Sequence, residues 1–384
     1  MDLNSLLQPE VQKFISESVS INLPEFLLSK SPFPNISVQE LAQQIKGRRI
    51  AEKKFPFLNR EGIIFPPSLN LEQSSSEATA RYKSTLFSGE KLVDLTAGFG
   101  IDSYWMGRNF EKVFLVESND VLLEIIKHNY NIINENNNVY LNKNLYTFLE
   151  ENEEKFSLIY LDPSRRDKAQ RKKFLLEDLS PNILEIQVQL FEFTNTVAVK
   201  LSPLMDLSVL HQNLKYLKEI HIVAVKNEVK ELLVILEKDF AEEVKIKCIN
   251  LQSEDSDVEF SFSEAQKAEV HYGEPENYLY IPNHSLLKSG AFNLISEKFH
   301  LKKLHPNTHL YTSSEKKSDF PGRILNVNKI NSKEIEKGVH FNIISKNYPL
   351  TPEQIKKKYK IKDGGKDYLI FTQTLGGKVI LKSI

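Results

Sequence analysis

Three apolar runs in this chain each end on an acid: Leu92-Val93-Asp94, Val113-Phe114-Leu115-Val116-Glu117 and Leu158-Ile159-Tyr160-Leu161-Asp162. Such runs read as buried strands of an open α/β sheet, whose carboxyl ends face one ligand crevice. Beyond the first acid, Gly98 and Gly100 let the backbone take positive φ and aim peptide N–H groups at a ligand where a helix begins. A pyrophosphate would call for G-x-G-x-x-G, but Ser103 occupies the third position. Asp94 would also repel phosphate, whereas it suits an ammonium or sulfonium charge. Glu117 follows the turn at about the 20-residue distance at which a strand-end acid meets a ribose hydroxyl pair. After the third run, Pro163 locks φ and holds Asp162 aimed into the crevice. Arg165 and Arg166 offer planar forks for phosphate or carboxylate, or else pair with Glu177 and Asp178.

The pattern Asp94-x-Thr96-Ala97-Gly98-x-Gly100-x-Asp102 resembles motif I of class I S-adenosylmethionine-dependent methyltransferases. Upstream, Glu72-Gln73-Ser74-Ser75-Ser76-Glu77-Ala78-Thr79-Ala80-Arg81-Tyr82-Lys83 places three serines at the mouth of a helix. It reads as a capped connecting helix or as a lid over the ligand. Together the two stretches resemble bacterial methyltransferases that carry a THUMP-like domain at the C-terminus. The resemblance implies S-adenosylmethionine as cofactor, with Asp94, Thr96, Ala97, Gly98, Gly100 and Asp102 around its methionine end. It puts Gln73, Ser74 and Ser75 beside the crevice, Glu117 on the ribose and Asn144 on the adenine amino group. Asn144 also fits a plain turn residue.

By the same resemblance Asp162-Pro163 corresponds to motif IV, where the group to be methylated is held. A carboxylate there would orient an exocyclic amine by accepting its protons. Amino-methylating nucleic-acid enzymes commonly read D/N-P-P-Y/F, with an aromatic that stacks on the base; here Ser164 and Arg165 follow instead. The expected reaction is methyl transfer to a nucleic-acid base amine, with RNA as partner. Methylation of a small molecule or a protein, and a non-catalytic fold that binds RNA, stay open.

The chain has 384 residues, enough for two or three domains, and its net charge of −1 gives no global field for a polyanion. One cysteine excludes a disulfide framework, and the nine histidines lack metal-ligand spacing, so no metal is expected. The start lacks a basic region before an apolar core, and no run approaches the ~18 apolar residues of a membrane span. A cytoplasmic protein without a membrane partner is expected, its oligomeric state open. Two basic clusters could meet phosphate or simply be solvated: Lys46 to Lys54, and Lys356 to Lys362.

The fold class expected is α/β. A Rossmann-like, seven-stranded class I methyltransferase domain covers 72–265, after an N-terminal helical cap over 1–71. A small C-terminal α+β region divides into a ferredoxin-like part, 270–325, and a THUMP-like part, 326–384. Periodicity predicts helices over Glu10 to Val19, Val38 to Glu52, Asp120 to Asn131, Lys173 to Leu190 and Thr351 to Tyr359. It also predicts that Val244 to Leu251 closes the sheet as an antiparallel edge.

Overall fold

The computed structural model describes residues 2–133, 137–165 and 176–384. The chain divides into two compact units, 1–218 with 232–241, and 219–231 with 242–384.

In the first unit the acid-tipped runs are parallel strands: β1 (Gly89–Asp94), β2 (Phe110–Val116), β3 (Asn138–Leu141) and β4 (Leu158–Leu161). A further parallel strand, β5 (Thr196–Leu201), lies on β4. From β1 the sheet runs to β2 and β3 on one side and to β4 and β5 on the other. The order therefore reverses between β1 and β4, the place where an open α/β sheet leaves a crevice at its carboxyl ends. Burial on both faces explains why β4 is apolar throughout, every residue from Leu158 to Leu161 being at most 1% exposed.

Two further strands are β6 (Leu217–Val225) and β7 (Glu228–Glu237). Leu232 to Glu237 of β7 run antiparallel to β5. In the second unit, β8 (Lys245–Leu251) lies parallel to β6 and antiparallel to β9 (Val258–Ser261). The strands thus exceed the seven expected, and the antiparallel role against the parallel set falls to β7 rather than to Val244 to Leu251. Lys226 and Asn227 both adopt positive φ, so two residues complete the reversal, and the polar Glu228 to Lys230 already belong to the next strand. The helix expected over Lys173 to Leu190 begins only at Ile183. Pro181 interrupts the pattern and Asn182 caps the new start, accepting from Leu184 N–H at 3.1 Å. The first three residues of that expected helix lie outside the described residues.

The N-terminal helices Pro9–Glu17 and Val38–Lys54 form where periodicity put them, the second closed by a capping box between Ser37 and Glu40. Their apolar faces, Val11, Ile15, Leu41 and Ile45, share one buried cluster with Leu92, Leu115 and Ile126. Two side-chain amides fasten the connecting strip. Gln44 accepts from Phe65 N–H at 2.8 Å and donates to its carbonyl at 2.9 Å, and Asn129 does the same for Ile64 at 2.9 Å each way.

In the second unit a seven-stranded sheet is ordered 302–305, 308–313, 278–282, 322–330, 377–383, 362–374 and 340–345. Along its hairpin, Ile370 and Leu381 enter one apolar cluster while Leu369, Phe371 and Ile380 enter another, so both faces are covered. Helix Pro352–Tyr359, capped by Thr351, lends Ile355 to the second cluster.

Asn129 is 2% exposed and its loss strands two buried backbone groups. Asn129→Ala should therefore cost about 2–4 kcal/mol in urea unfolding at an unchanged m value. A midpoint equal to that of the wild type would show that the amide pair does not hold the strip.

Candidate functional site

The turn after β1 is tied by two bonds to the end of β2, where Glu117 is itself held by a third. Ala97 N–H donates to Val116 O at 3.0 Å, Gly98 N–H to Glu117 Oε2 at 3.0 Å, and Asn119 N–H to Glu117 Oε1 at 2.8 Å. Gly98 has φ of +55° and Gly100 +76°. A Cβ on Gly98 would meet nothing nearer than Thr96 O at 3.7 Å, so open space lies in front of the turn. Behind it the chain is closed: a Cβ on Gly100 would lie 2.8 Å from the Tyr130 hydroxyl, which donates to Gly100 O at 2.5 Å.

Asp94 closes the end of β1. It accepts from Ser103 Oγ and, at 2.9 Å, from Thr96 N–H. Thr96 carries the connection onward, because its Oγ accepts from Asp162 N–H at 2.6 Å. That bond joins the first turn to the end of β4 and sets Asp94 and Asp162 at the same crevice.

Two lysines complete the cluster. Lys200, on β5 and 8% exposed, places Nζ 2.5 Å from Asp162 Oδ2 and 3.2 Å from Ser75 Oγ. Lys83, fully buried near the end of helix Glu77–Ser84, places Nζ 3.2 Å from the same Ser75 Oγ and 3.1 Å from Asp102 Oδ1. Ser75 and Tyr160 hydroxyls both donate to Asp102 Oδ2 at 2.7 Å. The result is a chain of alternating charge, Asp102, Lys83, Ser75, Lys200, Asp162, with one third of the Asp162 side chain open to solvent.

The electrostatics follow from burial. Burial raises Asp102, but Lys83 and then Lys200 outweigh it and hold the carboxyl below its ordinary value. Burial raises Asp162 against the pull of Lys200. Among the described residues no lysine pairs with Asp94. Burial pushes it up to about 7, and its bonds to Ser103 and Thr96 recover only part of the cost, with Asp102 and Asp162 adding repulsion.

Of the residues singled out in the sequence, Asp94, Thr96, Ala97, Gly98, Gly100, Asp102, Glu117, Asp162 and Ser75 come together in the first unit through these bonds. Pro163 is buried beside Asp162. Gln73 is exposed, and Ser74 turns its hydroxyl back to Asn70 O at 2.6 Å. Asn144 caps helix Leu145–Glu151, its Oδ1 accepting from Thr147 N–H at 3.0 Å. Arg165 ends a two-residue ladder with Leu179 and Ser180, its side chain undescribed, and Arg166 lies outside the described residues. Lys83 and Tyr160 were not singled out. The cluster Lys46 to Lys54 is largely engaged within the fold: Lys46 pairs with Glu72 at 3.1 Å, Lys54 donates to Leu71 and Glu72 carbonyls at 2.8 Å, and Arg49 donates to Val19 and Ile21 carbonyls. No helix among the described residues is long and apolar enough to cross a membrane.

Asp94 keeps its proton to about pH 7 when folded but loses it near 3.8 when unfolded, so the unfolded state binds fewer protons in between and stability falls as pH rises through that window. Between the two values the wild type should lose on the order of 4 kcal/mol relative to Asp94→Asn. Urea unfolding across that range checks it, and two parallel stability curves would refute it.

Two family models match the chain: a ferredoxin-like domain at residues 278–321 and a THUMP domain-like module at 323–382. Among solved structures, a Porphyromonas gingivalis W83 protein, named by inference as a methyltransferase, superposes with TM-score 0.86 at 29% identity, covering 100% of this chain and 98% of that one. Smaller matches include SMU.1697c of Streptococcus mutans in complex with S-adenosylhomocysteine (TM-score 0.31, 13% identity, 42% of this chain, 96% of that one). An rRNA methylase of Streptococcus thermophilus gives TM-score 0.31 at 14% identity, over 42% of this chain and 94% of that one. No curated protein matches. The chain therefore shares, over its whole length, the Rossmann-like α/β fold of the Porphyromonas protein, and it carries ferredoxin-like and THUMP-like domains at its C-terminus.

Proposed function

We propose that this chain is an S-adenosylmethionine-dependent methyltransferase acting on RNA, with a methyltransferase domain over about 72–265 and the matched modules behind it. The observation that carries the reading is the hydrogen bond from Asp162 N–H to Thr96 Oγ, 2.6 Å long. It ties the turn after Asp94 to the strand end at Asp162, which supports reading the two as motif I and motif IV around one crevice. S-adenosylmethionine would supply a methyl group already made electrophilic by its sulfonium, so the chain has only to bind, orient and move a proton.

The residues present fit such a donor. Open space before Gly98 leaves the turn approachable, and the Glu117 carboxylate, which takes one backbone N–H on each oxygen, retains lone pairs for a ribose diol. Asp94 stands where a cationic methionine end would lie. A protonated Asp94 leaves the two lysines balanced by Asp102 and Asp162, and an arriving cation favours its ionised form. Asn144 is kept as the contact to the adenine amino group through the second lone pair of its amide oxygen, the first being taken by Thr147 N–H. Arg165 and Arg166 remain proposed contacts to the substrate's negative charge.

The RNA half of the reading rests on the THUMP-like match and on the basic run in its helix. Lys357, Lys358 and Lys360 are exposed there, while Lys356 is paired with Asp363 at 2.7 Å. Full-length resemblance to the Porphyromonas protein supports the catalytic half.

Calorimetry should detect S-adenosylmethionine binding, with release of up to one proton near pH 6 as Asp94 ionises, read from the dependence of heat on buffer. Glu117→Ala should weaken binding about tenfold, the order of 1.4 kcal/mol for a lost pair of hydrogen bonds. Asp162→Ala should keep donor binding and lose transfer of labelled methyl to RNA. Absence of binding heat with either the donor or its demethylated product would end the reading.

A further inference from the structure

The acceptor side of the crevice carries more positive charge than an amine acceptor calls for. An amine attacks through a neutral lone pair and gains positive charge as it does so, so a buried ammonium nearby opposes the reaction. A hydroxyl is a weaker nucleophile that gains negative charge as its proton leaves. It needs a carboxylate to receive the proton and a cation to hold the developing oxyanion. Asp162 and Lys200 provide that pair, 2.5 Å apart at the solvent-open end of the cluster. Lys200 is not free to wander, because its ammonium is also bound to Ser75 Oγ at 3.2 Å, and Ser75 is fixed in turn by Asp102 and Lys83. The Lys200 ammonium meets Asp162 on Oδ2, and one third of that side chain is open to solvent, so a substrate proton can reach the carboxylate. At the position where D/N-P-P-Y/F places its base-stacking aromatic, this chain has Arg165.

Resting on the reading of this chain as an RNA methyltransferase, we infer that the atom methylated is a ribose 2′-hydroxyl oxygen rather than a base nitrogen. The hydroxyl oxygen forms its bond to the methyl carbon as the carbon–sulfur bond of the donor breaks, the electron pair of that bond staying on sulfur. The hydroxyl proton passes to Asp162 and from there to solvent. Lys200 stabilises the oxygen while charge builds on it. Lys83 acts through Ser75 and is a positioning residue.

The test uses the full chain with S-adenosylmethionine labelled in its methyl group and RNA from cells disrupted for this gene, followed by alkaline digestion. Alkali cuts every linkage that has a free 2′-hydroxyl, so a methylated ribose survives as a dinucleotide. Label in alkali-resistant dinucleotides is the expected result. Label in mononucleotides overturns the hydroxyl assignment while leaving methyl transfer to RNA standing. Donor binding without label in RNA overturns both. Lys200→Met should lower kcat about 10²- to 10³-fold with donor affinity unchanged, and wild-type kcat in that variant also overturns the inference. Lys83→Met should lower kcat less, leave KM alone and move the pH dependence of kcat. Should either variant fail to fold, the digestion of the wild-type product decides.

Discussion

Three carboxylates set into one crevice would repel one another beyond what a fold can tolerate, and the answer in this chain is a pair of buried lysines that interleave with two of them. At separations of about 3 Å in a poorly solvated interior each such contact is strong, but it only compensates the desolvation of both partners. The geometry is therefore all-or-none. Helix Glu77–Ser84 must deliver Lys83, β5 must deliver Lys200, and Ser75 must stand between them to receive both ammonium groups. Much of the first unit can be understood as the scaffold that meets these conditions. The segment before β1 is part of the site because it carries a charge the site requires, more than because it covers anything. Asp94, left outside the pairing, is the acid whose charge state stays adjustable near neutrality.

The three acids and the glycine turn were legible because each sits at a fixed phase of a local pattern: an apolar run, then an acid, then a change of period. The helices expected over Val38 to Glu52 and Thr351 to Tyr359 were legible for the same reason. What the sequence hid is long-range. Lys83 is one lysine in a polar helix, and nothing in its neighbourhood says that it is fully buried. Its partner Asp102 sits 19 positions on, and Lys200 meets a serine 125 positions away. Tyr160 reads as one more apolar member of β4, although its hydroxyl belongs to the acid cluster. The strand count slipped because the short Val258–Ser261, with only four residues of pattern, adds an antiparallel ladder to Lys245–Leu251.

The second unit argues differently, from covered faces rather than from charge. Strand Gly322–Ile330 pairs with Tyr278–Pro282 at its beginning and with Gly377–Ser383 at its end. The ferredoxin-like and THUMP-like matches meet at that strand, which serves both ladders. Gly322 begins it with φ of +147°, and a Cβ there would lie 2.3 Å from Ile281 O, so that backbone approach is reserved for glycine. A change at this position would loosen both matched modules.

Helix Ile101–Gly107, which leaves the glycine turn, also carries Trp105, the chain's one tryptophan. The guanidiniums of Arg81 and Arg108 lie 4.1 and 5.0 Å from its ring, and Arg81 rides on the helix that brings Lys83 into the cluster. The indole thus lies against the helix that carries Lys83, beside charged neighbours that shift its excited state. The one indole is therefore a built-in fluorescent gauge of that packing, and a small change in the spacing of those two helices should register as a change in emission without any label being attached.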